Sequence, residues 1–278
     1  MTAVTAPAPS PVRSARRAGG PTFLTHTLLL TGRQLRWAVR MPAFLVMNLV
    51  QPVIWLLLFG QLFKSVVEIP GFGVGQSYLE YLTPGVVMML ALFGSAWSGT
   101  VYIQDMERGV MDRLLTSPAN RGAMIVATLV YQSILAVFQS LIVVGIAFWA
   151  GARLDGGVGG ILLLLVGVVL LTAVFCSLSN AVALLARDQT ALIGISQLIT
   201  LPLMFLSSAI MNTKLSPEWV RNVAAYNPFE WAVIVGREAL SAHPDTAALW
   251  GHVGLLAALA VVMAALATSA FRVYQRSA

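Results

Sequence analysis

The chain has 278 residues, 58% hydrophobic and 10% charged, where a soluble domain carries about 45–50% and about 25%. This is a membrane-protein composition: six spans of about 22 residues would use roughly half the length and leave no loop long enough for a separate soluble domain. The excess of 17 basic over 11 acidic residues therefore reads as a topological signal rather than a nucleic-acid interface. The single cysteine, Cys176, excludes an intrachain disulfide and a CxxC motif. Lys64 and Lys214 are the only lysines and follow Phe63 and Thr213, so there is no GxxxxGK phosphate loop. His26, His243 and His252 form no HExxH, and no local metal site is expected.

Residues 1–21 are rich in Pro and Ala and carry Arg13, Arg16 and Arg17 without an acid; they read as a disordered cytosolic tail with no secretory cleavage pattern. Residues 23–40 interleave Leu24, Leu28, Leu35 and Trp37 with Arg33, Arg36 and Arg40. That pattern predicts an amphipathic helix on the membrane surface, broken from the first span by Pro42. Six apolar segments follow, at about 43–63, 83–104, 123–149, 161–185, 191–211 and 248–271, and residues 22–278 are read as one all-helical transmembrane domain. Only residues 186–190, with Arg187 and Asp188, separate the fourth and fifth segments, which predicts antiparallel neighbours joined by a tight turn.

With the N-terminus in the cytosol, twelve Lys and Arg fall on that side and five on the other. The positive-inside rule then predicts an N-in, C-in chain. No Asp, Glu, Lys or Arg lies within any of the six segments. Ion-coupled carriers and voltage sensors place charge there, so a transporter built this way would draw its energy from outside its own membrane domain. Neutral polar groups do occur, and they read either as interhelical hydrogen bonds or as the wall of a polar cavity. The pathway candidates are Asn48 and Gln51 in the first segment, Met88, Met89 and Phe93 in the second, and Gln197, Thr200, Met204, Phe205 and Ser208 in the fifth. The methionines and phenylalanines suit an adaptable cavity and equally a lipid-facing or core position. Gln132 and Gln139, seven apart, share a helix face.

Two loops stand out. Taken as a short helix over 107–115, the loop after the second segment sets Val110, Met111, Leu114 and Leu115 on one side and Glu107, Arg108, Asp112 and Arg113 largely on the other, with Pro118 as its stop. Such a helix suits a groove on a soluble partner; a stop-transfer charge cluster is the other reading. Residues 227–240 open on Asn-Pro, an N-cap followed by an N1 proline. At about 14 residues this segment is too short to span, so a re-entrant or interfacial helix is expected, with a second short helix over 217–224. Trp219, Asn227, Pro228, Phe229 and Trp231 would close a pathway there, or the tryptophans would anchor the chain at the interface.

From about residue 30 to its C-terminus the chain resembles the permease subunits of type-2 ABC transporters, closest in pattern to the daunorubicin-resistance group of drug exporters. The likeness lies in Gln51-Pro-Val-Ile-Trp-Leu-Leu-Leu-Phe-Gly60, Tyr78-Leu-Glu-Tyr-Leu-Thr-Pro-Gly-Val-Val87, Glu107-Arg-Gly-Val-Met-Asp-Arg-Leu-Leu-Thr-Ser-Pro118, Pro202-Leu-Met-Phe-Leu-Ser-Ser208 and Tyr226-Asn-Pro-Phe229. The third stretch is fairly specific; the others persuade by their order.

The resemblance implies a coupling helix at 107–115 that docks on a separate nucleotide-binding subunit through Glu107, Arg108, Gly109, Asp112, Arg113, Leu114 and Leu115. It implies a connecting helix on the same side, with Arg33, Arg36, Trp37 and Arg40. It further implies two copies of the chain with two ATPase subunits, a pathway between the permeases lined partly by spans one, two and five, and an outer gate over 216–241. ATP and Mg would sit on the partner subunit, and this chain would hold no catalytic site, cofactor or metal. The expected function is ATP-driven export of a hydrophobic or amphiphilic small molecule, drug- or antibiotic-like, or a lipid, across a bacterial plasma membrane. A glycolipid or polysaccharide exporter of the same family is the alternative. A stand-alone carrier is disfavoured by the uncharged spans, and a lipid-acting enzyme by the lack of a motif around Glu230, Arg237, Glu238 and His243.

Overall fold

The computed structural model describes residues 23–62, 77–111, 113, 121–153, 155–210 and 217–277; the tail over 1–21 lies outside them. Every regular element among the described residues is helical: α1 Phe23–Arg40, α2 Pro42–Leu62, α3 Tyr78–Ala96, α4 Thr100–Glu107, α5 Arg121–Trp149, α6 Gly157–Ala186, α7 Gln189–Phe205, α8 Glu218–Ala224, α9 Pro228–Leu240 and α10 Thr246–Ser277. Five stretches are long and apolar enough to cross a membrane: Leu45–Leu62, Tyr78–Glu107, Gly122–Trp149, Gly157–Ala186 and Thr246–Tyr274. The helix expected over 191–211 stops at Phe205 after 17 residues. At 1.5 Å per residue it is about 26 Å long, a little less than a hydrocarbon core of about 30 Å.

Helix α6 is the centre of the bundle, packing against α3, α5, α9 and α10. Its Leu164 and Leu171 share the main core with Leu82, Val87 and Met88 of α3, Phe229, Val233 and Val235 of α9, and Leu256 of α10. The short helix α9 is therefore part of the core, with an N-cap as predicted: the Asn227 carboxamide oxygen accepts from the Phe229 N–H at 2.9 Å, and Pro228 follows at the start of the helix. The tight turn between α6 and α7 is closed by Asp188, whose carboxylate accepts from the Ala191 N–H at 2.7 Å.

Helix α1 has the predicted bounds, with the chain breaking at Met41 before Pro42. Its leucines Leu24, Leu28 and Leu29 are exposed, and the face it buries is small and polar, with Thr27, Thr31 and Ala38. Thr31 Oγ1 donates to the Ala127 carbonyl at 3.3 Å and Gln34 Nε2 to Thr128 Oγ1 at 3.4 Å. Hydrogen bonds thus fasten α1 to α5 and leave Leu24, Leu28 and Leu29 outward, while Leu30 packs against the cluster around Tyr102.

The second segment, expected as one helix over 83–104, starts earlier and is interrupted. A capping box between Ser77 and Glu80 opens α3 at Tyr78, residues 97–99 form a turn, and α4 resumes at Thr100. The Gly99 N–H donates to Ser179 Oγ at 3.0 Å, and a Cβ at Gly99 would lie 2.4 Å from the Ser179 carbonyl oxygen. Only glycine lets this break rest on α6. Gly85 of α3 meets the Ala209 carbonyl in the same way, at 2.3 Å from where a Cβ would sit.

Replacing Gly99 by Ala should cost about 1–3 kcal/mol through forced separation of α4 from α6, read as a lowered unfolding midpoint of the detergent-solubilised protein. Gly145→Ala, where a Cβ meets nothing within 4 Å, should leave the midpoint unchanged or raise it by up to about 1 kcal/mol.

Candidate functional site

A cavity of about 660 Å³ opens between α2, α3, α4, α5 and α7. Carboxamides stud its wall: Asn48 and Gln51 from α2, Gln104 from α4, Gln132 and Gln139 from α5, Gln189 and Gln197 from α7. Between them lie Trp37, Trp55, Phe93, Trp97 and Tyr131, with Met47 and Met89. Gln132 Nε2 donates to the Gly94 carbonyl, which seats one amide against α3. Gln197 Oε1 and the Thr172 hydroxyl, also in the wall, have no hydrogen-bond partner among the described residues.

Five of the ten pathway candidates line this space: Asn48, Gln51, Met89, Phe93 and Gln197. The other five do not. Met88 is fully buried in the core, its Cε reaching the close approaches at Gly167 and Gly236. Thr200 donates to the Ser196 carbonyl at 2.8 Å, Met204 is a core residue and Phe205 points outward, exposed. Ser208, expected within a span, sits in a turn beyond α7. Gln104, Gln139, Gln189, Trp97 and Tyr131 were not among the candidates, although the shared face of Gln132 and Gln139 was readable from their spacing.

At the α1 end, Arg33 Nη2 and Asp105 Oδ2 form an ion pair at 2.7 Å, joining α1 to α4. Trp37, one turn along, reaches the cavity wall; Arg36 donates to the Gly32 carbonyl at 3.0 Å, and Arg40 is exposed at the end of the helix. Residues 107–115 are not a single helix as expected. Glu107 closes α4, and Gly109, with φ of 65°, turns the chain before helical geometry resumes at residues 110, 111 and 113. The left-handed backbone at Gly109 is the physical cause of the break. Beyond it Met111 is fully buried, in a cluster with Tyr102, Ile103, Met124, Phe271 and Tyr274. Glu107, Arg108 and Arg113 are exposed. Asp112, Leu114 and Leu115 lie outside the described residues.

At the opposite end, Trp219 is exposed and Phe229 fully buried, while Trp231 Nε1 donates to the Ala225 carbonyl at 2.8 Å. Asn227 Nδ2 donates to the carbonyls of Leu203 and Leu206, at 2.7 and 2.9 Å, so it fastens the end of α7 as well as capping α9. Glu230 and Arg237, expected on a short re-entrant or interfacial helix, turn into the bundle. The Ser208 N–H donates to Glu230 Oε2 at 2.6 Å. Arg237 donates to the Ser208 hydroxyl at 2.6 Å and to its carbonyl, and its guanidinium lies 3.8 Å from the Tyr81 ring centre. Among the described residues no group of three His, Cys, Asp or Glu is placed to hold a metal.

Residues 25–240 match the family described as ABC-2 type transporter. The chain belongs to the ABC-2 type transporter family. With its five long apolar helices, this ABC-2 chain is a multi-pass membrane protein. It is 26% identical over 266 residues to the daunorubicin resistance ABC transporter permease protein DrrB1 of Streptomyces coeruleorubidus, covering 94% of this chain and 90% of that one. It is 29% identical over 196 residues to the transport permease ycf38 of Porphyra purpurea, covering 70% of this chain and 66% of that protein. DrrC of Mycobacterium tuberculosis, named for doxorubicin resistance, is 21% identical over 243 residues, with 87% and 86% covered.

Within this ABC-2 fold, Arg237→Met strands the Ser208 carbonyl and the neighbouring Glu230 carboxylate. A loss of about 2–4 kcal/mol is expected, measured as a lowered thermal midpoint. Glu230→Gln, which keeps an acceptor, should cost less.

Proposed function

We propose that this chain is the membrane-spanning subunit of an ATP-driven exporter that moves a hydrophobic or amphiphilic small molecule, drug-like, or a lipid. The observation that carries the reading is the cavity of about 660 Å³ lined by amides and aromatic rings without a charged side chain among the described residues. That volume is drug-sized, and among the described residues the wall has no Asp, Glu, His, Lys or Arg of the kind that proton-coupled carriers use. The energy source is therefore assigned to a separate ATP-hydrolysing subunit holding ATP and Mg, with no covalent chemistry on this chain. Resistance to daunorubicin and doxorubicin in the names of relatives supports a drug-like cargo.

In this reading the chain crosses a bacterial plasma membrane six times, with α7 as the fifth crossing and both termini in the cytosol, and pairs with a second copy. The segment 107–115 docks on the ATPase subunit, with Glu107, Arg108 and Arg113 as its exposed charges among the described residues. The force has a short path. Helix α4 runs from Glu107 through Gln104 and Thr100 to the turn at 97–99, and Gln104, Val101, Thr100, Ser98 and Trp97 are all cavity wall. A push on the exposed charges is thereby a displacement of the wall, and the Arg33–Asp105 pair carries α1 along with it. The α8–α9 segment, with Trp219, Asn227, Pro228, Phe229 and Trp231, serves as the outer gate.

Co-purification of the tagged chain with an ATPase, and ATP-dependent efflux by the reconstituted complex, is the test; a pure, inactive homo-oligomer sinks the reading. Charge reversal of both Arg108 and Arg113 should lower ATP-dependent transport by about tenfold or more, a coupling loss of about 1.4 kcal/mol, without loss of expression. Arg33→Asp should lower transport more mildly, and adding Asp105→Arg should restore it.

A further inference from the structure

The described residues that line the cavity include no acid, lysine, arginine or histidine, yet six of the chain's ten glutamines are among them. A carboxamide offers donors and an acceptor without formal charge. Two polar atoms of the wall are left without partners among the described residues: the fully buried Thr172 hydroxyl and Gln197 Oε1. A charged group entering the same space loses its hydration and meets no counter-charge in the wall. Trp37, Trp55, Trp97, Phe93 and Tyr131 add flat surfaces suited to stacking on rings.

We infer that this cavity selects an uncharged aromatic amphiphile bearing several hydroxyl or carbonyl groups over its cationic and anionic counterparts. The inference rests on the export reading above and names the substrate class of the same site. Charge is disfavoured because the described wall residues hold no compensating group; hydroxyl-bearing rings are favoured by the amides and the aromatic walls together.

The test uses the full chain in nanodiscs and three forms of one hydroxyanthraquinone glycoside: with an amine on the sugar, with a hydroxyl in its place, and with a succinyl ester there. Binding is read by quenching of tryptophan emission. The neutral form should bind about tenfold or more tightly than either charged form, equivalent to about 1.4 kcal/mol. Gln51→Glu, an exposed position on α2 that faces the cavity, should raise affinity for the amine form about tenfold. Gln61→Glu, on the same helix but away from the cavity, should not. Equal affinity for the three forms overturns the inference, and so does tightest binding of the amine form, which would make the aromatic walls a cation cage. Absence of binding by all three, with an ATPase still co-purifying, places recognition elsewhere and overturns the inference while sparing the export reading. Neutral selection without any ATPase partner upholds the inference and strikes the export reading alone.

Discussion

The organisation of one whole end of the molecule follows from the need to satisfy backbone that leaves helical geometry inside the bundle. After α7 ends at Phe205, residues 206–210 turn while still packed against α3 and α9. Irregular backbone is tolerated in a membrane protein only where the protein itself provides the hydrogen bonds. Several of the groups so released find one. Tyr78 and Tyr81 donate their hydroxyls to the carbonyls of Ile210 and Ser208, at 3.0 and 2.9 Å. Asn227 takes the carbonyls of Leu203 and Leu206, and Glu230 and Arg237 hold Ser208 from both sides. Because these donors come from α3 and α9, the requirement fixes both helices against the end of α7.

The other end answers a different requirement, that a surface segment be both anchored and exposed. Met111 is sunk in a cluster with Tyr102, Phe271 and Tyr274, while Glu107, Arg108 and Arg113 face outward. Gly109 makes the two compatible by turning the chain between them. Between the ends, the turn at 97–99 rests on Ser179 of α6 and contributes Trp97 and Ser98 to the cavity. A break in an otherwise continuous span thus lies one short helix, α4, away from Glu107 and in the cavity wall, and the close approach at Gly99 holds it there.

Much of this was legible in the residues. Pro42 marked the end of α1, Asn227-Pro228 the start of α9, and Arg187-Asp188 the turn between α6 and α7, because capping and proline geometry are local. A burial of Met111 apart from Glu107, Arg108 and Arg113 was expected from one continuous helix, whereas the turn at Gly109 brings it about. The interruptions at 97–99 and 206–210 were not legible: their stabilising partners are Ser179, Tyr81 and Arg237, each remote in sequence. Nor could the pathway candidates be sorted. Met88 and Met89 are adjacent and chemically alike, yet one fills the core and the other the cavity wall.

The sequence by itself determined the all-helical class, the apolar segments, the absence of charge within them and the motif order that marks the ABC-2 family, since composition, periodicity and capping act over a few residues. Only the tertiary structure decided which face of each span meets the cavity and that Glu230 and Arg237 turn inward from a short helix. The physical reason is that a span apolar all round has no amphipathic stripe to set its rotation. In lipid the hydrophobic effect does not distinguish core from surroundings, so close backbone contacts and remote hydrogen bonds set the rotation of α3 and α7, and with it the placement of Met89, Phe93, Gln189 and Gln197.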